Sequence, residues 1–267
     1  MTKIIFAFLL MASTAMATGK IEVKVKSTAV GVHFTLNFPK DFIQSRIPQG
    51  LTLDPKLFRP DGTYPVQVFF GGQMRYRAGL SIGGGLQIEG LFSGDVFTVR
   101  TIGVDSKPYD FVLQADVGNE KIHEFEKFFL GWDKNMVFAD WDNTDYTAGE
   151  LDLTRLYRGE FESLKSYDKN AFRAHLRFFR DESKTPIILA KNNGKFACFN
   201  QEWMWGELDN RYRPINAKIM ISKAAFGGVM EGTHMVPSFD KTPYGALKLV
   251  MQWKMRDSHE CNPVPAK

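Results

Sequence analysis

The chain has 267 residues, of which 44% are hydrophobic, with a formal charge of +4 at neutral pH. That length suits one large domain or two small ones. The charge is mild and its basic residues are interleaved with acids, which excludes the basic block expected of a nucleic-acid partner.

In chain order, residues 1–17 have the layout of a secretory signal. Lys3 gives a basic start, "IIFAFLLMA" an apolar run, and Ala15-Met16-Ala17 an A-x-A cleavage site. The run is too short to span a bilayer, and no later stretch reaches eighteen apolar residues, so no membrane span is expected in the mature chain. Cleavage after Ala17 leaves residues 18–267 as one secreted or periplasmic domain, with a charge of +3 once Lys3 is gone.

Strand signals then dominate. "GVHFTLNF" sets Val32, Phe34, Leu36 and Phe38 against polar or small neighbours, the period-two pattern of a half-buried strand. A short helix is expected after Pro39 in "KDFIQSRI". "YPVQVFF", "DVFTVRTIGV" and "YDFVLQADV" read as strands, with bends or a barrel corner in the glycine-rich "GLSIGGGLQIEG" between them. Residues 119–131 predict a helix, with Ile122, Phe125, Phe129 and Leu130 on one face, Asn119 as its cap and Gly131 as its stop. The acidic "DWDNTDYTAGE" (140–150) predicts a solvated loop between strands. Further strands are expected in "LDLTRLYRGEFESL", in "FRAHLRF" (Phe172, Ala174, Leu176 and Phe178 alternating), and in "PIILAK", "KFACFNQEW" and "NAKIMIS". Asn193-Gly194 signals a tight hairpin. "ALKLVMQWKM" closes the series with Leu247, Leu249, Met251, Trp253 and Met255 on one face. Many strands, few helices and no internal repeat predict a mainly β (α+β) fold: a single large antiparallel barrel or sandwich with an internal cavity and one or two short helices outside.

Familiar catalytic motifs are missing. The glycine-rich piece contains neither G-x-G-x-x-G nor a P-loop, and no G-x-S-x-G occurs. An EF-hand starting at Asp140 would need glycine and glutamate where Asp145 and Leu151 stand. His33, His123, His175, His234 and His259 are scattered. His123 and Glu126, three apart, could share a ligand, but no H-E-x-x-H occurs. No cofactor or metal is implied. Cys198 and Cys261 either form one disulfide, stabilising by roughly 4 kcal/mol through its long loop, or remain two unpaired thiols.

One lysine stands out. In "FFLGWDKNMVF", residues 128–138, Lys134 lies among phenylalanines, a tryptophan, a leucine and a methionine. An exposed lysine amine is protonated at neutral pH, whereas an apolar pocket or a second nearby cation favours the neutral amine. A neutral amine attacks a ketone to give a Schiff base, the electron sink that a β-keto acid needs to lose carbon dioxide.

The order of segments resembles the acetoacetate decarboxylase family. "HFTLNFPKDFIQSRIPQGLTLDPKLFRPDGTYPVQVFF" is similar to the family's opening strand, short helix, turns and second strand. "FVLQADVGNEKIHEFEKFFLGWDKNMVFAD" is similar to its acidic strand end, helix and lysine-bearing turn, and "AFRAHLRFFRDESKTPIILA", "NAKIMISKAAFGGVMEG" and "PYGALKLVMQWKM" to its later elements. The resemblance implies a β-barrel-like fold with Lys134 as the Schiff-base amine in its cavity. Glu89 and Arg46 would orient the substrate, a small β-keto acid. The sequence departs from the family at the chemistry. Asp133 and Asn135 flank the lysine where the family has proline and a second lysine, and Asn37 stands near the expected arginine, with Lys40 and Arg46 close by. Two readings follow: a decarboxylase-type lyase, or a non-catalytic periplasmic protein that binds an apolar or carbonyl-bearing small molecule. Twenty-three phenylalanines, five tryptophans and eleven methionines suffice either to line such a cavity or to fill a core. The sequence leaves the oligomeric state open.

Overall fold

The central stretches of β-strand that form the barrel of this protein are buried on both faces, and one of those faces lines an internal site. The computed structural model describes residues 22–261 except 82, 132–133, 137–138, 143–147, 154–155, 192–194 and 205–210. The signal reading of residues 1–17 therefore lies outside the described residues, as does the Asn193-Gly194 turn.

The elements run β1 (Val23–Pro39), α1 (Lys40–Arg46), β2 (Thr52–Leu53), β3 (Thr63–Leu80), β4 (Gly85–Ile102) and β5 (Pro108–Val117). Then come α2 (Glu120–Leu130), β6 (Asn135–Met136), β7 (Ala139–Asp142), β8 (Ala148–Leu153), β9 (Tyr157–Ser163) and α3 (Lys169–Glu182). The chain finishes with β10 (Ile187–Ala190), β11 (Phe196–Trp203), β12 (Arg211–Ile221), β13 (Gly232–Val236) and β14 (Leu247–Cys261).

Seven strands close on themselves in the order β1-β3-β4-β5-β10-β11-β14, with β14 pairing back onto β1. Closure removes the exposed sheet edges that invite aggregation. Each neighbouring pair in the ring is antiparallel except β5 and β10, which run parallel after the α3 excursion. Beyond the ring, β14 also pairs with β12, which leads to β9, β8 and β7 in a second sheet, with β13 on the other part of β12.

The alternation in β1 follows from this arrangement. Val32, Phe34, Leu36 and Phe38 pack outward with Phe70 and Phe97 against Ile215, Ala217 and Ile219 of the second sheet. Val25, Ala29 and His33, on the opposite face, turn into the lumen. The long β3–β4 hairpin turns through Gly83 and Gly84, both at positive φ (95° and 82°), where a side chain would be strained.

A helix closes each end of the lumen. At one end Ile122 and Leu130 of α2 pack with Val25, Tyr76, Val117 and Met255. The Asn119 side chain accepts a hydrogen bond from the Ile122 N–H at 3.2 Å, and Gly131 ends the helix in the left-handed region, as the sequence signals predict. At the other end Phe172, Leu176 and Phe179 of α3 pack with Ala29, Leu247 and Met251.

Here one sequence expectation is corrected. "FRAHLRF" is part of helix α3, not a strand. Its buried residues, Phe172, Leu176 and Phe179, follow the i, i+4, i+7 helical spacing, whereas Ala174 and Phe178 of the alternating set are exposed. Asp168 caps the helix, accepting from the N–H groups of Asn170 (2.8 Å) and Ala171 (3.1 Å). "LDLTRLYRGEFESL" likewise resolves into parts of β8 and β9, which pair antiparallel. The acidic 140–150 run begins in β7 and ends in β8, and its centre, 143–147, lies outside the described residues.

Cys198 and Cys261 form a disulfide across 63 residues, fastening β11 to the end of β14. Its reduction should lower stability by up to about 4 kcal/mol on the chain-entropy account. The check is the urea midpoint of oxidised against reduced protein. Coincident midpoints would mean that the strand pairing alone carries this corner.

Candidate active site in the barrel lumen

Each of the seven barrel strands contributes a side chain to one cavity of about 130 Å³, from His33 on β1 round to Trp203 on β11 and Trp253 on β14. A dry cavity of roughly this size holds a benzene-sized molecule. Most of the lining is apolar, and its polar groups fall into two stations, one near α2 and one near α3.

The first station is built around Lys134. β5 pairs with β10 at Asp110 and Phe111, and with β6 at Asp116 and Val117. Lys134 immediately precedes β6, so it enters the wall beside the intervening edge of β5. It is 8% exposed, and its Nζ lies 2.5 Å from Oε2 of Glu126, itself 5% exposed on the buried face of α2. The other carboxylate oxygen of Glu126 accepts from the Tyr76 hydroxyl at 3.0 Å. Burial, reinforced by the Glu126 charge, pushes the Tyr76 phenol well above its ordinary range, so it stays a donor. Two opposite charges taken out of water together offset part of their desolvation cost. Transfer of one proton across 2.5 Å discharges both, leaving a neutral amine beside a carboxylic acid.

Behind this station, on the outer face of the wall, Asp95 and Asp116 are cross-strand partners, 1% and 3% exposed. Gln114 Nε2 donates to Asp116 at 2.8 Å and to the Tyr157 oxygen at 3.1 Å. Burial, and then the neighbouring Asp116, push the Asp95 carboxyl well above the usual range, with the Lys134 charge opposing.

The second station lies near α3. His33 stacks obliquely on Phe179, ring centroids 4.5 Å apart. Burial lowers its pKa to about 4, against a hydrogen bond to the Gln67 side chain. Its Nδ1 has no hydrogen-bond partner among the described residues. Nearby on β5, Asp110 is bound by Arg100 at 2.6 Å, and Arg100 in turn reaches Glu182 at 3.0 Å. Burial still raises the Asp110 carboxyl to about 6 in spite of Arg100.

The structure brings Lys134 into the lumen but brings neither Glu89 nor Arg46 to it. Glu89 is exposed on the β3–β4 hairpin, taking a hydrogen bond from Gln87 at 2.8 Å and facing Arg77 at 3.8 Å. Arg46 is exposed at the end of α1, its guanidinium 4.9 Å over the Phe42 ring. Neither lines the cavity among the described residues. Glu126 is the acid placed on Lys134, whereas the sequence reading named it only beside His123 as a possible shared-ligand pair. Its signal was available: an acidic residue four positions after Ile122 and four before Leu130 occupies the apolar face of α2. Trp132, Asp133, Phe138 and the side chain of Asn135 lie outside the described residues. Phe128 is 46% exposed, so it does not cover the amine. His123 is not joined by ligands, since no group of three His, Cys, Asp or Glu residues able to hold a metal occurs among the described residues.

No family model and no curated protein matches the sequence. Solved structures do match in fold. Acetoacetate decarboxylase superposes with a TM-score of 0.56 at 9% identity, over 90% of this chain and 89% of that one. The acetoacetate decarboxylase of Legionella pneumophila gives 0.54 at 9%, over 88% and 86%. The enduracididine biosynthesis enzyme MppR, complexed with pyruvate, gives 0.55 at 9%, over 90% of each chain. The chain therefore has the acetoacetate decarboxylase fold.

The buried His33 has a pH signature. Its folded pKa lies below the unfolded value, so its contribution to stability is complete above about pH 6.5 and is lost as pH falls toward 4. That loss amounts to about 3 kcal/mol. Asp110, raised instead, works in the opposite direction over a similar range. Urea unfolding at pH 7 and pH 4 should show the wild type losing about 3 kcal/mol more than His33→Leu. Equal losses would place His33 in contact with water.

Proposed function

We propose that the lumen carries lysine-dependent carbonyl chemistry of the acetoacetate decarboxylase type, with Lys134 as the nucleophile and a small β-keto acid as substrate. The observation that carries this reading is the Lys134 amine, enclosed in the barrel and 2.5 Å from a buried carboxylate. Glu126 takes the ammonium proton, and the neutral amine adds to the ketone carbon. The same proton returns as water leaves, giving a protonated Schiff base. The bond to the carboxylate then breaks, carbon dioxide departs, and its electron pair moves into the C–N system as an enamine. Protonation at carbon and hydrolysis release the ketone and restore the amine. Tyr76, bonded to Glu126, keeps that carboxyl oriented.

The shared fold supports the reading, and so does the solved complex of MppR with pyruvate, in which a protein of this fold holds an oxo acid. We further propose that the protein is exported, its N-terminal segment being removed after Ala17. The Cys198–Cys261 disulfide fits an oxidising compartment.

A second reading is capture without turnover. It draws on one observation: among the described lining residues Lys134 is the sole cation, and it is already paired with Glu126. Incubation with acetoacetate and borohydride, followed by peptide mass mapping, tests the first step. A reduced adduct is expected on Lys134 and should vanish in Lys134→Met. Carbon dioxide release separates lyase from binder, and Glu126→Gln should slow it by about 100-fold. Lack of an adduct throughout the pH range of the folded protein would end the lysine mechanism.

A further inference from the structure

Outside the lumen, five cations line one open groove in the barrel wall: Lys24 and Lys26 of β1, Arg77 of β3, and Lys254 and Arg256 of β14. The groove has a volume of about 470 Å³. Val25 and Met255 line both the groove and the lumen, so one thickness of wall separates the two. No single stretch of sequence carries this cluster, because strands distant in the chain assemble it.

The strand register sets these charges against one another. Lys26 pairs with Arg77 on one side and with Lys254 on the other, which puts three cations in a row across three adjacent strands. Like charges at directly opposed positions destabilise a sheet. Acids offset only part of the cluster. Glu22 lies 3.4 Å from Lys24, Glu89 3.8 Å from Arg77, and Glu202 2.8 Å from Arg256. Glu202 is the cross-strand partner of Lys254, yet its ion pair is with Arg256. Neither Lys26 nor Lys254 has an ion pair among the described residues. Five cations facing three acids leave a surplus of two, centred on these lysines. That surplus matches a dianion, whereas a monocarboxylate would balance only half of it. Opposed Cβ atoms stand about 5 Å apart, close enough for both ammonium groups to reach oxygens of one ligand group. The outer strands of the row are about 10 Å apart, a span for a compact group and not for a polymer backbone. Lysine suits phosphate, as a point charge with three rotatable donors.

We propose that this groove binds a phosphate monoester as its dianion, with Lys26 and Lys254 donating to the phosphoryl oxygens and Arg77 beside them. The site is separate from the carbonyl chemistry of Lys134 and does not rest on it. No bond to the phosphorus is made or broken there. The bound dianion relieves the repulsion between the opposed lysines.

The test presents one phosphate group from two sources at pH 7.5, with ionic strength held constant by sodium chloride. Glycerol 3-phosphate, followed by titration calorimetry, supplies it in solution. Vesicles of phosphatidylcholine containing phosphatidic acid, followed by co-flotation, supply it as a lipid headgroup, with pure phosphatidylcholine as the blank. Binding of glycerol 3-phosphate, about ten-fold tighter than acetate, identifies a soluble ester as a ligand. Binding to the phosphatidic acid vesicles alone identifies the headgroup. Whichever form binds, Lys26→Gln/Lys254→Gln should weaken it about ten-fold. Lys26→Arg/Lys254→Arg keeps both charges and should retain it, and Lys24→Gln, which removes a cation already paired with Glu22, should bind as the wild type does. Failure to bind either source, acetate binding as tight as glycerol 3-phosphate, undiminished binding in the glutamine pair, or an equal loss in the arginine pair overturns the assignment. None of these results depends on an adduct at Lys134.

Discussion

The buried pairing of Lys134 with Glu126 is the constraint around which this lumen is organised. Neither charge is tolerable alone in an enclosed barrel, since an unpaired buried ion costs several kcal/mol. The two groups come from different elements. Glu126 is carried by α2, whose register is fixed by the Asn119 cap and the Gly131 stop, and Lys134 by the segment that docks as β6 on the end of β5. Any shift of the helix by one residue would rotate Glu126 out of the lumen by about 100°. Capping, docking and ion pair therefore form one unit, with the Tyr76 hydroxyl fixing the remaining carboxylate oxygen.

The barrel can hold such a pair because its wall has two insides. Over the stretches that meet the second sheet, β1, β3 and β4 place one set of side chains in the lumen and the other against that sheet, so groups on either face there are buried. The outer face holds Asp95 and Asp116 at directly opposed positions, where burial first and the like charge of Asp116 second push the Asp95 carboxyl well above its usual range. The inner face holds Lys134, Glu126 and His33. Through the thin wall the Lys134 charge is felt at Asp95.

Much of this was legible in the sequence, and the failures have physical causes. Val32, Phe34, Leu36 and Phe38 revealed their strand because a single face of β1 carries large apolar groups, while the lumen face carries Ala29, Gly31 and His33 and reads as polar or small. That contrast hid the second buried face. At "FRAHLRF" the arginines fall at spacings that satisfy period two as well as a helix, and the deciding signals were the Asp168 cap and Phe179 beyond the quoted run. Lys134 was found from its apolar neighbours, although Phe128 turned out exposed. Its true enclosure comes from strands distant in sequence, which no local window contains. Glu126 was read only with His123, three residues before it on the same helix, because nothing local in sequence ties it to Lys134 eight residues on, and Glu89 was preferred on a loosely similar position. The disulfide was an open choice until β11 and β14 were seen as neighbours.

A double-mutant cycle on Lys134→Met and Glu126→Leu measures the central interaction most directly, by urea unfolding at neutral pH. Each single variant should lose about 3–5 kcal/mol, and the double variant should lose less than either, since it buries no unpaired charge. Additive losses would mean that the two side chains do not meet inside the barrel, and the site described around them would not exist.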